Sequence, residues 1–188
     1  MCGRYCFSTD SADEKTAALI QAMERKYPGK YKTGEIFPGN TAPAMIARQD
    51  KILPVPAVFG FPGYRDGKLL INARGETAAE KKAFAESLKE RRILLPATGF
   101  YEWDPAKTKY LFTADPLPVM YLCGLYRIID GQYRFVILTR AANESMIKTH
   151  DRMPVIAGQD EVRPYLTDPV AAAAILSSPA PMLTRSKA

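Results

Sequence analysis

Asp130-Gly131 separates two apolar, β-type runs at 120–129 and 133–139. An Asp-Gly pair accepts the two positive-φ positions of a tight hairpin turn, which commits the flanking runs to antiparallel pairing. Fifteen prolines and twelve glycines repeat such punctuation along the chain. Tyr5 and Phe7 alternate with Arg4 and Cys6, which predicts a strand beginning almost at the first residue. Residues 45–48 and 55–61 predict short strands whose ladders are limited by Pro54, Pro56 and Pro62. A turn over 65–68 leads into a predicted strand over 69–73.

Helical signals are fewer. Ser11 is placed to cap a helix carrying Leu19, Ile20, Met23 and Tyr27 at helical spacing, which Pro28-Gly29 ends. Thr77 and Glu80 form a capping-box pattern that predicts a helix over 77–91. Phe84 and Leu88 would be its buried stripe, with Lys81, Lys82, Lys89 and Arg92 basic around the rest. A helix is also read over 159–166, and Asp168-Pro169 opens an alanine-rich one reaching 176. Many short strands and few helices, not in strict alternation, give an α+β class. The expectation is a single domain over 1–188 with a curved, mainly antiparallel, β-barrel-like core and flanking helices. Residues from about 177 read as a loosely attached tail.

The 188 residues, 47% of them hydrophobic, suffice for one full-sized core but not for two ordinary domains. The apolar runs 119–126 and 171–176 are far too short to cross a bilayer. The N-terminus lacks the pattern of a signal peptide, and Cys2 in place of glycine excludes N-myristoylation. A cytoplasmic protein is expected, nucleoid-associated when on DNA. Three cysteines argue against a disulfide framework. Cys2, Cys6, Cys123 and His150 lack the close-pair spacing of structural zinc sites, so neither metal nor cofactor is expected. The net charge of +6 permits attraction to polyanions, nucleic acid first, although many soluble proteins are basic without such a partner.

Five side chains are candidates for chemistry. Removal of Met1 would give Cys2 a free α-amine beside its thiol. Such a 1,2-aminothiol condenses with aldehydes to an imine that the sulfur closes into a thiazolidine, a route denied to an internal cysteine. The other reading is an incidental cysteine near a terminus. His150, the sole histidine, lies in a polar, Pro-limited segment and suits proton transfer, or simply sits at the surface. Glu102 lies between Tyr101 and Trp103; desolvation there would favour acid/base work, yet strand alternation would turn it away from both rings. Asn72 and Arg74 end an apolar strand just before a basic helix, where amide and guanidinium suit a phosphate-bearing ligand or an ordinary turn.

Five segments occur together in order: Met1-Cys2-Gly3-Arg4-Tyr5, Asn40-Thr41-Ala42-Pro43, Ile71-Asn72-Ala73-Arg74-Gly75-Glu76-Thr77, Pro96-Ala97-Thr98-Gly99-Phe100-Tyr101-Glu102-Trp103 and His150-Asp151-Arg152-Met153-Pro154. The set resembles the SOS-response-associated peptidase (SRAP) family over nearly the whole chain. The resemblance implies a small α+β domain with a basic cleft. It also implies lyase-like covalent capture of abasic sites in single-stranded DNA through a Cys2 thiazolidine, alongside a suspected peptidase activity. Cys2 would be the nucleophile, Asn72 would hold the reacting sugar, Glu102 would manage protons at the amine, and His150 would assist ring opening. Arg4, Arg74 and Arg152 would meet phosphates, Asn40, Pro43 and Trp103 would lie beside the DNA, and Thr139 would line the pocket. Many relatives carry Trp-Gly-Leu-Ile-Pro where this chain has Phe59-Gly60-Phe61-Pro62-Gly63, so Phe61 is the expected stacking or wedging side chain. A monomer without membrane or metal partners is expected. Two other readings remain: an N-terminal-nucleophile cysteine peptidase or amidase, and a non-catalytic single-strand binder.

Overall fold

The computed structural model describes residues 2–9, 14–63, 67–115 and 119–188. The expected cap at Ser11 and part of the 65–68 turn fall outside them. In chain order the strands are β1 (Tyr5–Phe7), β2 (Gly34–Ile36), β3 (Thr41–Arg48), β4 (Lys51–Phe59), β5 (Phe61–Pro62), β6 (Leu69–Leu70), β7 (Asn72–Arg74) and β8 (Arg92–Ala97). They continue as β9 (Gly99–Trp103), β10 (Lys109–Thr113), β11 (Met120–Ile129), β12 (Gln132–Ala141), β13 (Arg152–Pro154), β14 (Ile156–Ala157) and β15 (Thr184–Lys187). The helices are α1 (Glu14–Lys26), α2 (Ala85–Glu90), α3 (Val162–Thr167) and α4 (Pro169–Ser177).

The Asp130-Gly131 hairpin forms as the sequence predicts. Ile129 pairs with Gln132, and the two turn residues take φ 50° and 73°. Its second strand organises the molecule. One edge of β12 runs along β11 and then β13; the other runs parallel to β4 and then to β7. Antiparallel β4–β3, β3–β8 and β8–β11 pairings complete a closed ring of five strands, β12–β4–β3–β8–β11. Closure removes free edges from those strands. Close packing of β11 on β12 requires Gly124, where a Cβ would lie 2.6 Å from the Val136 carbonyl oxygen.

A second antiparallel sheet, β15–β10–β9–β1–β2, shares the ring's core. Tyr5, Phe7, Ile36, Phe100 and Phe112 from that sheet join Ala42, Ala44, Ile46, Ile93, Leu95 and Leu122 from the ring. Alternate residues such as Met45, Leu94 and Cys123 belong to a second cluster, with Tyr165, Leu166, Ala172 and Ile175 of α3 and α4. β3, β8 and the central parts of β11 and β12 are therefore buried on both faces, whereas β4 buries one face and leaves the other half-buried. Each large side chain so covered contributes about 1.5–3 kcal/mol.

Four expectations change. Pro54 and Pro56 lie within β4, which starts before the predicted 55, and they limit its ladder on the β12 side only. Phe59 N–H donates across to the Asn40 carbonyl, so odd-numbered residues face β3, and the missing N–H groups of Pro54 and Pro56 face the opposite edge, before the pairing with β12 starts at Ala57. The 69–73 strand is divided between β6 and β7, in separate sheets. The 77–91 helix is reduced to a 3₁₀ turn at Gly75–Thr77 and α2. Ala78 and Phe84 are both buried in the second core cluster. On a continuous helix they would point about 120° apart, so the chain unwinds to bury both. Finally, the tail is tied down: β15 pairs with β10, Leu183 is buried, and Asn143 Nδ2 donates to the Ala180 and Pro181 carbonyls.

Candidate active site

Cys2 leads into β1 and is 0% exposed. Asn72, the first residue of β7, reaches it directly: Nδ2 donates to the Cys2 carbonyl oxygen at 3.0 Å. Asn72 is held by the β7–β12 pairing, opposite Ile137, whose N–H donates to the Ile71 carbonyl. The Cys2 thiol faces the Arg4 carbonyl oxygen at 3.9 Å. Burial pushes this thiol well above the ordinary thiol range, and the negative charge of Glu102 pushes it further. Both effects favour the neutral thiol.

Glu102 is 4% exposed, on the β9 face that also buries Phe100. Tyr101 and Trp103 are half-buried on the opposite face. Strand alternation separates the carboxyl from its aromatic neighbours, and the core supplies its desolvation. Glu102 is thus turned away from both rings, as alternation requires, and is buried nonetheless.

A second cluster surrounds β13. His150 Nδ1 accepts from the Arg152 backbone N–H at 3.0 Å and lies 2.9 Å from Asp151 Oδ1. Both contacts meet at Nδ1, so the ring is oriented by its two neighbours along the chain. The Arg152 guanidinium grips both Glu76 oxygens at 2.6 and 2.7 Å and donates to the Thr139 carbonyl at 2.7 Å. Those hydrogen bonds, Arg152's foremost, hold the Glu76 carboxyl down at about 2. Arg152 braces the 3₁₀ turn against β12. Thr139 is fully buried, its hydroxyl donating to the Ala73 carbonyl. Arg74 is exposed and, with Asn72, Lys81, Lys82 and Phe84, lines a cavity of about 490 Å³.

Across the outer face of the second sheet, Arg4 lies 4.2 Å from the Phe37 ring centroid and 5.0 Å from that of Trp103. Lys109 lies 3.9 Å from the Tyr101 ring, and both cations meet Glu35, at 3.3 Å from Arg4 and 2.8 Å from Lys109. Such rings and cations together suit stacked bases and phosphates. Tyr101 could have been found from its alternation with Glu102. Glu35 of β2, Phe37 just after it and Lys109 of β10 arrive from elsewhere in the chain and carry no local signal.

Two of the expected DNA contacts are buried, and the third, Asn40, lies beside Phe37. Pro43 is buried in β3 opposite Pro56. Phe61 is 1% exposed, with the Arg127 guanidinium 5.2 Å from its ring, so it has no face free to wedge between bases. Asn40 closes a turn, its Oδ1 accepting from the Phe37 N–H at 3.3 Å. Among the described residues, no three His, Cys, Asp or Glu side chains converge on a metal-sized site, and no helix is long and apolar enough to cross a membrane.

The sequence profile of the SOS response associated peptidase (SRAP) family matches residues 1–185. Abasic site processing protein YedK of Escherichia coli is 29% identical over 180 residues, covering 88% of this chain and 79% of that protein. Abasic site processing protein YoaM of Bacillus subtilis is 35% identical over 120 residues, 56% of this chain and 52% of that protein. Among solved structures, a phage-related protein from Bordetella bronchiseptica superposes with a TM-score of 0.74 at 22% identity, covering 100% of this chain and 94% of that one. A likeness at that identity establishes the fold.

Proposed function

This chain belongs to the SOS response associated peptidase family, and we propose that it captures abasic sites in single-stranded DNA covalently through Cys2 once Met1 has been removed. The observation that carries the reading is the Cys2–Asn72 contact: the first reactive residue is clamped by its own carbonyl, 3.0 Å from an amide on another strand. Clamping holds the backbone that carries amine and thiol, and a held nucleophile replaces a bimolecular encounter with an effectively unimolecular one. The relatives named abasic site processing proteins support the substrate.

The protonation state orders the steps. With the thiol held neutral, the amine adds first to the open-chain aldehyde of the lesion. A proton passes from nitrogen to oxygen, water leaves, and an imine remains. The sulfur then adds to the imine carbon, its proton ending on nitrogen, so aldehyde and aminothiol become thiazolidine and water. Glu102 accepts and returns the proton at the amine, and His150 serves ring opening of the sugar. Arg4, Phe37 and Trp103 hold the flanking strand by stacking, and Arg74 meets a phosphate. Hydrolysis of a peptide by the Cys2 thiolate would need the ionised sulfur that burial disfavours.

The test uses protein whose mass shows Cys2 as its first residue, mixed with end-labelled single-stranded DNA carrying one abasic site, without reductant. A band that survives denaturation, and disappears with Cys2→Ala or with intact DNA, is expected. Its absence with the free Cys2 terminus would sink the capture reading.

A further inference from the structure

Two buried polar atoms near the reactive residue have no hydrogen-bond partner among the described residues: the Tyr5 hydroxyl and Asn72 Oδ1. Buried polar groups are otherwise paired in folded proteins, and an unpaired one persists where something else completes it. Tyr5 is fully buried and rigidly placed. Its backbone pairs with Ile36 on one side and Phe100 on the other, and its ring stands edge-on to Phe59 at 6.1 Å. It shares the core cluster with Cys2, three residues earlier. Burial first, and the Cys2 sulfur second, push the phenol well above its ordinary range, so it remains an O–H donor.

We infer that Tyr5 is a further catalytic residue, whose hydroxyl donates a hydrogen bond to the oxygen on the carbon that Cys2 attacks, while Asn72 Oδ1 accepts from the same oxygen once it is a hydroxyl. The inference rests on the capture reading for its substrate but concerns any carbonyl compound joined to Cys2. When the amine adds, the C=O π bond becomes a lone pair on oxygen, and that oxygen takes the proton released by nitrogen. Tyr5 keeps its own proton throughout and stabilises the oxygen while charge develops on it, in a dry site where one fixed donor counts heavily. Donor and acceptor together match an alcohol oxygen, which both gives and receives a hydrogen bond.

Tyr5→Phe removes only the hydroxyl. The rate of adduct formation with abasic single-stranded DNA is expected to fall about 100-fold, the scale of losing one such donor. Binding of DNA carrying a tetrahydrofuran analogue, which has no aldehyde, should stay within about twofold, and the melting midpoint should be unchanged or higher because an unpaired buried hydroxyl is gone. Adduct formation within about threefold of wild type, or a lowered midpoint, would overturn the inference. If the wild type forms no adduct with abasic DNA, the capture reading fails separately, and both proteins are compared with glyoxylate, followed by mass at Cys2. A slower variant there sustains the role of Tyr5; equal rates, or no reaction of the wild type, overturn it.

Discussion

Arg92 and Asn72 are both buried polar residues at the head of a strand, and their hydrogen bonding is opposite in kind. Arg92 donates to the carbonyls of Leu88, Lys89, Tyr165 and Leu166. Those carbonyls lie in the last turns of α2 and α3, where no intrahelical donor remains for them. The positive charge also complements both helix ends. Among the described residues, Asn72 donates once, to Cys2, and its oxygen has no partner. A finished buried network joins elements, whereas an unfinished one lowers stability and is retained for what it binds. The contrast separates the structural polar residues of this protein from its working ones without reference to where the sequence places them.

The largest effect should come from Arg92→Met. Four helix-end carbonyls would lose their donor together, with an expected destabilisation of about 3 kcal/mol or more, read from denaturant midpoints. Adduct formation per folded molecule should stay unchanged. A loss below about 1 kcal/mol would mean that the network is no more finished than the one at Cys2, and the contrast would break. Asn72→Ala is the reciprocal case. Stability should change by about 1 kcal/mol or less, while the adduct rate falls about 100-fold, because the clamp on Cys2 acts on reaction geometry more than on the fold. A variant that loses stability but keeps its rate would class Asn72 with Arg92.

Neither residue's role was legible from local sequence, and the reason is distance along the chain. Arg92 meets Tyr165 across 73 residues, and Asn72 meets Cys2 across 70. Arg92 reads locally as one more cation on a basic helix; only the docking of α3 turns it inward. Asp130-Gly131 was legible because a two-residue turn is decided by its own backbone preferences. The 77–91 helix was misread because capping pattern and burial of Ala78 and Phe84 compete there, and burial prevails. Cys2, Asn72, Glu102 and His150 are candidates from their own residue types and positions, and the family resemblance supplies their roles. Tyr5 gave no sign, since a tyrosine in an alternating strand reads as ordinary core until its hydroxyl is seen to lack a partner.

Arg152 stands between the two cases, and the smallest predicted effect resolves its place. Its terminal nitrogens are bonded to Glu76 and Thr139, while Nε is buried without a partner among the described residues. The Glu76 carboxyl is lowered from the usual 4.5 to about 2. A folded-state value below the unfolded one stabilises the protein fully above about pH 4.5, and this contribution is lost as the pH falls toward about 2. Glu76→Gln should therefore lower stability at pH 7, and the gap to wild type should close on acidification through that window. Because the Glu76 side chain is 48% exposed, solvent screening limits the effect to about 1 kcal/mol or less. The same variant removes the charge that grips the guanidinium, while Nη2 keeps its bonds to Thr139. If Arg152 is a brace, like Arg92, the salt dependence of single-stranded DNA binding should stay as in wild type, which is the expected result. A slope steeper by about one released counterion would instead make it a phosphate contact that Glu76 holds back, and would move it to the working side of the comparison.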